Sequence, residues 1–142
     1  METNLITTPG GPRVALVTGA ARGIGLATAR RFLSEDWRVA LLDIDAETLA
    51  RTEAALADPA RVLALHADVA SEAAVNAAVA RIEAAWGRLD ALVNNAGIAV
   101  FKPVLETTAA EWERVIAVNL TGAFLCTQAA APLMLRGGGA RW

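Results

Sequence analysis

Two kinds of segment alternate along this chain. Short, unbroken apolar runs recur at Val14–Thr18, Val39–Asp43, Val62–His66 and Ala91–Asn94. Between them, at Gly25–Glu35, Ala46–Ala57 and Glu72–Trp86, apolar positions return at helical spacing; Leu26, Ala29 and Leu33 share one face of the first. An unbroken apolar run fits a strand buried on both faces. Asp45 and Ser71 stand where N-caps belong, and Asp58-Pro59 stops the second helix. Thr108-Ala109-Ala110-Glu111 forms a capping-box pattern that opens a long helical stretch toward Leu135. Strand and helix alternating through short links predict an α/β fold: a doubly wound parallel sheet with right-handed crossovers and spatial order 3-2-1-4.

Size and composition narrow this picture. A chain of 142 residues suits one domain, large enough to bury roughly two thirds of its unfolded surface. Residues 13–142 are expected to form that unit. Residues 1–12, polar and carrying Gly and Pro without a signal-peptide core, are expected to be a loose tail. Much of the 55% hydrophobic content is alanine, which favours helix, and no segment approaches the roughly 18 uninterrupted apolar residues of a membrane span. A net charge of -2 gives no electrostatic reason to expect nucleic acid or an anionic membrane as partner. The single cysteine, Cys126, excludes an internal disulfide and a cysteine-rich metal cluster, so no metal site is expected and a reducing cytoplasm is the simplest setting.

The chemistry gathers where strands end. Thr18-Gly19-Ala20-Ala21-Arg22-Gly23-Ile24-Gly25 joins the first strand to the first helix. A helix N-terminus offers unpaired N–H groups and partial positive charge, and glycines let a pyrophosphate approach the backbone; the competing explanation is a plain turn. In the phosphate reading, Gly19 makes the sharp turn, Gly23 permits close approach and Gly25 packs helix on strand. Asp43 follows at about the twenty-residue interval of an acid that grips a ribose. Its charge would repel a 2′-phosphate by about 1 kcal/mol in water and about 4 kcal/mol at an effective dielectric of 20, favouring NAD over NADP. Arg22 pulls the other way, since a guanidinium beside the second glycine is able to offset that phosphate.

Asp68-Val69 follows the third strand, where an aspartate either orients an adenine edge or supports the next helix. Asn94-Asn95-Ala96-Gly97 ends the fourth, as a close backbone approach to a ligand or as an ordinary turn. Asn119 lies in a helical segment between Val118 and Leu120. A buried amide there needs partners, either as a satisfied structural residue or as the holder of a water near a site.

These elements together resemble the short-chain dehydrogenase/reductase family: TGAARGIG, Asp43 at the end of strand two, Asp68-Val69, NNAG at 94–97, and VNLTGAF at 118–124. The likeness spans about residues 12 to 139 and implies a Rossmann-type fold. It implies that Gly19, Arg22, Gly23, Ile24 and Gly25 line a pyrophosphate. Asp43, Asp68, Val69, Asn95, Ala96 and Gly97 would hold the adenosine half and approach the nicotinamide. Asn119 would match the family's helix asparagine, which positions a water in a proton relay. The implied activity is hydride transfer between an alcohol or ketone and NAD, less readily NADP.

The family's serine and Tyr-x-x-x-Lys have no counterpart here. The chain has no tyrosine, and its one lysine, Lys102, lies in a loop after NNAG. Losing acid–base groups worth on the order of 10²- to 10⁴-fold implies a cofactor-binding half that is inactive alone, a C-terminally truncated member. Such a piece would turn over small alcohols or ketones only when completed. The alternatives are a non-catalytic NAD-binding or interaction module, and one half of a split enzyme. The fourth strand's outer edge would be unpaired, predicting association or aggregation through it, or a homo-oligomer.

Overall fold

The computed structural model describes residues 11–137. The tail expected over 1–12 therefore falls almost wholly outside the described residues. The sheet has four parallel strands, β1 (Val14–Thr18), β2 (Arg38–Asp43), β3 (Val62–His66) and β4 (Ala91–Val93), in the expected order β3-β2-β1-β4. Helices α1 (Gly23–Ser34), α2 (Ala46–Leu56) and α3 (Glu72–Trp86) are the crossovers.

Every residue of β1 is buried, as its unbroken apolar run requires. Its side chains divide between two cores by strand alternation. Val14 and Leu16, with Ala40 and Leu42 of β2, join Val75, Val79 and Ile82 of α3. Val17, with Val39 and Leu41, joins Ala29 of α1 and Leu49 of α2 on the opposite face. The register is pinned at the bottom of the sheet by Asp90. Its carboxylate accepts the Val14 N–H at 2.8 Å, and its own N–H donates to the Val14 carbonyl at 2.8 Å. Arg88 grips the same carboxylate at 2.6 and 2.9 Å, and that hydrogen bonding raises the guanidinium's pKa further.

Helix α1 begins at Gly23 and ends at Ser34, where the sequence predicts Gly25 to Glu35, whereas the starts of α2, α3 and the helix after Thr108 form as the sequence predicts. Asp45 accepts from the Thr48 N–H at 3.0 Å, and Ser71 from that of Ala74 at 3.3 Å. Thr108 and Glu111 close a reciprocal capping box. Helix α2 ends one residue early, because Ala57 turns into the left-handed region at φ 50° ahead of Asp58-Pro59.

The long helix beyond Thr108 is continuous but not uniform. It comprises α4 (Ala109–Ile116), a π turn at Ala117–Thr121, and α5 (Gly122–Arg136). This 28-residue run contains an 18-residue stretch of mean hydropathy 1.4, long and apolar enough by length and composition alone to cross a membrane. The stretch is apolar on average and not uninterrupted, since Asn119, Thr121, Thr127 and Gln128 break it, as the sequence pattern predicts. One face, with Val118, Cys126, Ala130, Leu133 and Met134, packs into the core with α3. On the other, Trp112, Leu120, Phe124 and Leu135 are exposed. Strand β4 bonds only to β1, so its outer edge has no strand partner among the described residues.

Candidate functional site

The carboxyl ends of the strands open into one cleft of about 390 Å³. Gly19 and Arg22 come to it from the turn after β1, Leu42, Asp43 and Ile44 from the end of β2, and Ala67, Asp68 and Val69 from beyond β3. Asn95, Ala96, Gly97 and Ile98 follow β4, and Arg114 and Val118 come from the long helix. A parallel sheet places these segments side by side because every crossover returns its strand in the same direction.

The glycine turn is built by steric necessity. Gly19 adopts φ 64°, a conformation that a side chain rarely tolerates. A Cβ on Gly25 would stand 2.2 Å from the Gly19 carbonyl oxygen and 2.7 Å from the Asn95 amide, so the first turn of α1 rests directly on the loop. Arg22, the N-cap residue of α1, supplies no side-chain cap, whereas α2, α3 and α4 each have one. The opening N–H groups of α1 thus keep their donor capacity and its dipole at the cleft's edge.

Asp43 is buried at the end of β2. Its carboxylate accepts the Ala21 N–H and the Asp45 N–H, each at 3.0 Å, locking it against the glycine loop. Thr52 binds the Ala21 carbonyl at 2.7 Å, so the loop is held from both sides of that residue. Each Asp43 oxygen has spent one acceptor position on backbone and retains another.

Asp68 supports the approach to α3, one of the two roles the sequence offered, and it also lines the cleft. One oxygen accepts the Ala70 N–H at 2.9 Å. Its other oxygen meets Arg114 at 3.0 Å. Beyond β4, the Thr18 hydroxyl gathers the N–H groups of Asn95 and Ala96, each at 3.0 Å. That diversion ends β4 at Val93, one residue before the predicted Asn94.

Asn119 is exposed rather than buried. The π turn inserts a residue, leaving Val118 in the core while Asn119 faces the loop after β4. Its amide clamps the Ile98 backbone, accepting from the N–H at 2.8 Å and donating to the carbonyl at 2.9 Å. With Thr18, Asn94 and Ala123 it lines a smaller recess beside the main cleft. His66 sits on the rim, within 3.0 Å of the Ile44 carbonyl.

Most residues singled out from the sequence therefore converge. Gly19, Arg22, Asp43, Asp68, Val69, Asn95, Ala96 and Gly97 line the cleft. Gly23, Ile24 and Gly25 are not among the lining residues: Gly25 packs against the Gly19 turn and the Asn95 amide, a Cβ on Gly23 would meet nothing within 4 Å, and Ile24 points outward, 78% exposed. Arg114 and Ile44 were missed. Nothing in the local sequence marks Arg114, which reaches the cleft only through the docking of α4. Ile44 carried a signal: an apolar residue directly after a strand-end acid, 56% exposed.

A doubly wound sheet with a glycine turn, an open helix start and an acid on the neighbouring strand end defines the nucleotide-binding α/β class. The comparisons carry this to a family. The short chain dehydrogenase family profile matches residues 13–141, and the chain belongs to that family, whose members bind nicotinamide dinucleotides. It is 50% identical over 130 residues to 2-(R)-hydroxypropyl-CoM dehydrogenase of Xanthobacter autotrophicus, covering 87% of this chain and 51% of the relative. It is 41% identical over 128 residues to D-threitol dehydrogenase of Mycolicibacterium smegmatis, covering 89% and 49%. A short-chain dehydrogenase/reductase from Burkholderia phymatum, solved in complex with NAD, superposes with a TM-score of 0.86 at 34% identity, covering 94% of this chain and 48% of that one. The chain thus spans about half the length of the curated relatives it matches.

Proposed function

We propose that residues 13–142 form the dinucleotide-binding half of an NAD-dependent oxidoreductase that interconverts alcohols and ketones. The observation that carries this is Asp43, a buried carboxylate held by the Ala21 N–H at 3.0 Å in the same cleft as the uncapped start of α1. The residues present fit the cofactor: donors without a cap suit a diphosphate, and a fixed acid with spare lone pairs suits a ribose diol. When bound, NAD supplies the hydride acceptor or donor.

In this reading, Gly19, Arg22, Gly23, Ile24 and Gly25 contact the diphosphate, largely through backbone. Asp43 accepts from the adenosine ribose, Asp68 and Val69 flank the adenine, and Asn95, Ala96 and Gly97 border the nicotinamide side. Asn119 fixes the Ile98 backbone beside that end and is the chain's candidate for holding a catalytic water. The two relatives named above are dehydrogenases of hydroxyl-bearing compounds, which supports the substrate class. A reducing compartment, the cytoplasm, suits a lone thiol buried in the core.

The chain as it stands supplies binding rather than proton transfer. It has no tyrosine, and Lys102, its only lysine, is engaged by Glu111 at 2.5 Å. Titration with NADH, followed by cofactor fluorescence, should therefore show saturable binding without turnover across an alcohol and ketone panel. Asp43→Ala should weaken that binding about ten- to a hundredfold, the worth of hydrogen bonds to a charged group. Absence of NADH binding by the unmodified chain would overturn the proposal.

A further inference from the structure

The two arginines that line the cleft are both neutralised by aspartates. Arg114 meets Asp68, and Arg22 reaches from the start of α1 to Asp45 at the start of α2, with Nη2 2.5 Å from Oδ2. Asp45 is firmly set. Its Oδ1 accepts the Thr48 N–H at 3.0 Å and its Oδ2 the Thr48 hydroxyl at 2.8 Å. These bonds, foremost the backbone one, hold its carboxyl below the usual range, so it stays charged opposite Arg22. Asp45 itself does not line the cleft, whereas Arg22 and Asp43 do.

This matters for which dinucleotide is admitted. A free guanidinium beside Asp43 would counter its repulsion of a 2′-phosphate; a guanidinium already held by an acid does so far less. We infer that Asp45 is a specificity-determining positioning residue, which disfavours NADP by keeping the Arg22 guanidinium paired and so less able to offset the charge of a 2′-phosphate beside Asp43. This rests on the dinucleotide reading of the cleft and assigns discrimination to two acids, Asp43 by direct repulsion and Asp45 through Arg22.

The test is calorimetric titration of the full chain with NAD⁺ and NADP⁺. Asp45→Asn removes the charge and keeps an oxygen for the Thr48 N–H; Asp45→Ser, also a good helix cap, is the second variant should the first fold poorly. The affinity ratio of NADP⁺ to NAD⁺ should rise about five- to tenfold at low salt, as expected for freeing one partly screened charge, and the gain should shrink as salt is added. Adding Arg22→Gln to Asp45→Asn should cancel the gain. An unchanged ratio in a folded Asp45 variant, or a gain that survives Arg22→Gln, overturns this inference while leaving the cofactor reading intact. Failure of the wild-type chain to bind NAD⁺ overturns both.

Discussion

Thr18 and Asn95 hold each other by main chain and side chain in both directions. The Thr18 hydroxyl accepts the Asn95 N–H at 3.0 Å, and the Asn95 side-chain amide donates to the Thr18 carbonyl at 3.0 Å. The same hydroxyl accepts the Ala96 N–H at 3.0 Å and lies 3.3 Å from the Val93 carbonyl, to which it donates. One buried hydroxyl thereby joins the end of β1 to the loop after β4 and sets two walls of the cleft. Thr18→Val keeps the shape and removes both acceptor contacts, leaving two backbone N–H groups short of partners. It should cost about 1–3 kcal/mol in urea unfolding and weaken NADH binding, whereas Thr18→Ser should lose much less. Equal stability of Thr18→Val and the wild type would sink this account.

Gly25 is the second point where the cleft depends on a missing atom. The Cβ of an alanine there would lie 2.2 Å from a backbone oxygen of the Gly19 turn, and backbone cannot swing aside as a long side chain can. Gly25→Ala should lift the start of α1 off the loop, costing about 1–3 kcal/mol and removing measurable NADH binding. Gly87→Ala is the contrast. A Cβ there meets nothing within 4 Å, so any loss should come from its φ of 69° and spare cofactor binding. Unfolding curves and fluorescence titrations on both variants separate the effects.

Most of the fold was legible because each element's cause is local. Unbroken apolar runs gave β1 and β3 to the residue, and side-chain caps at Asp45, Ser71 and Thr108 fixed three helix starts. What escaped has non-local causes. β4 stops at Val93 because a hydroxyl 75 residues away in sequence diverts the next amides. The exposure of Asn119 follows from a π turn, which no apolar period encodes, and from its clamp on Ile98, 21 residues away. The strand-end residues Asp43 and Asp68 were found because alternation of strand and helix places all such ends together. Arg114, which arrives by helix docking alone, carried no such mark.

Cys126 lies buried in α5 against the core, and that burial pushes its thiol pKa up to about 11. At pH 8 the thiolate is a minor species as well as an inaccessible one. The native chain should therefore react with a disulfide exchange reagent only as fast as it opens, and at full rate once unfolded in guanidinium. Fast labelling of the folded chain, with its circular dichroism unchanged, would show that α5 is not seated as described.

Glu111 gives the chain a readable acid response. The Lys102 ammonium, first, and the Thr108 N–H, second, lower its carboxyl from 4.5 to about 2. A carboxylate whose pKa is depressed on folding contributes fully above its unfolded value and loses that contribution as pH falls through the folded one. The start of α4 should thus be as well held at pH 5 as at pH 7, and should fray between about pH 4.5 and 2. Glu111→Gln keeps the outline of the capping box and removes the titration. The gap between its unfolding midpoint and that of the wild type should be constant above pH 5 and close on approaching pH 2. Because the pair is partly exposed, added salt should narrow the gap at every pH above 5. A gap that keeps its full size at pH 2 would show that Glu111 acts through the shape of its side chain and not through its charge.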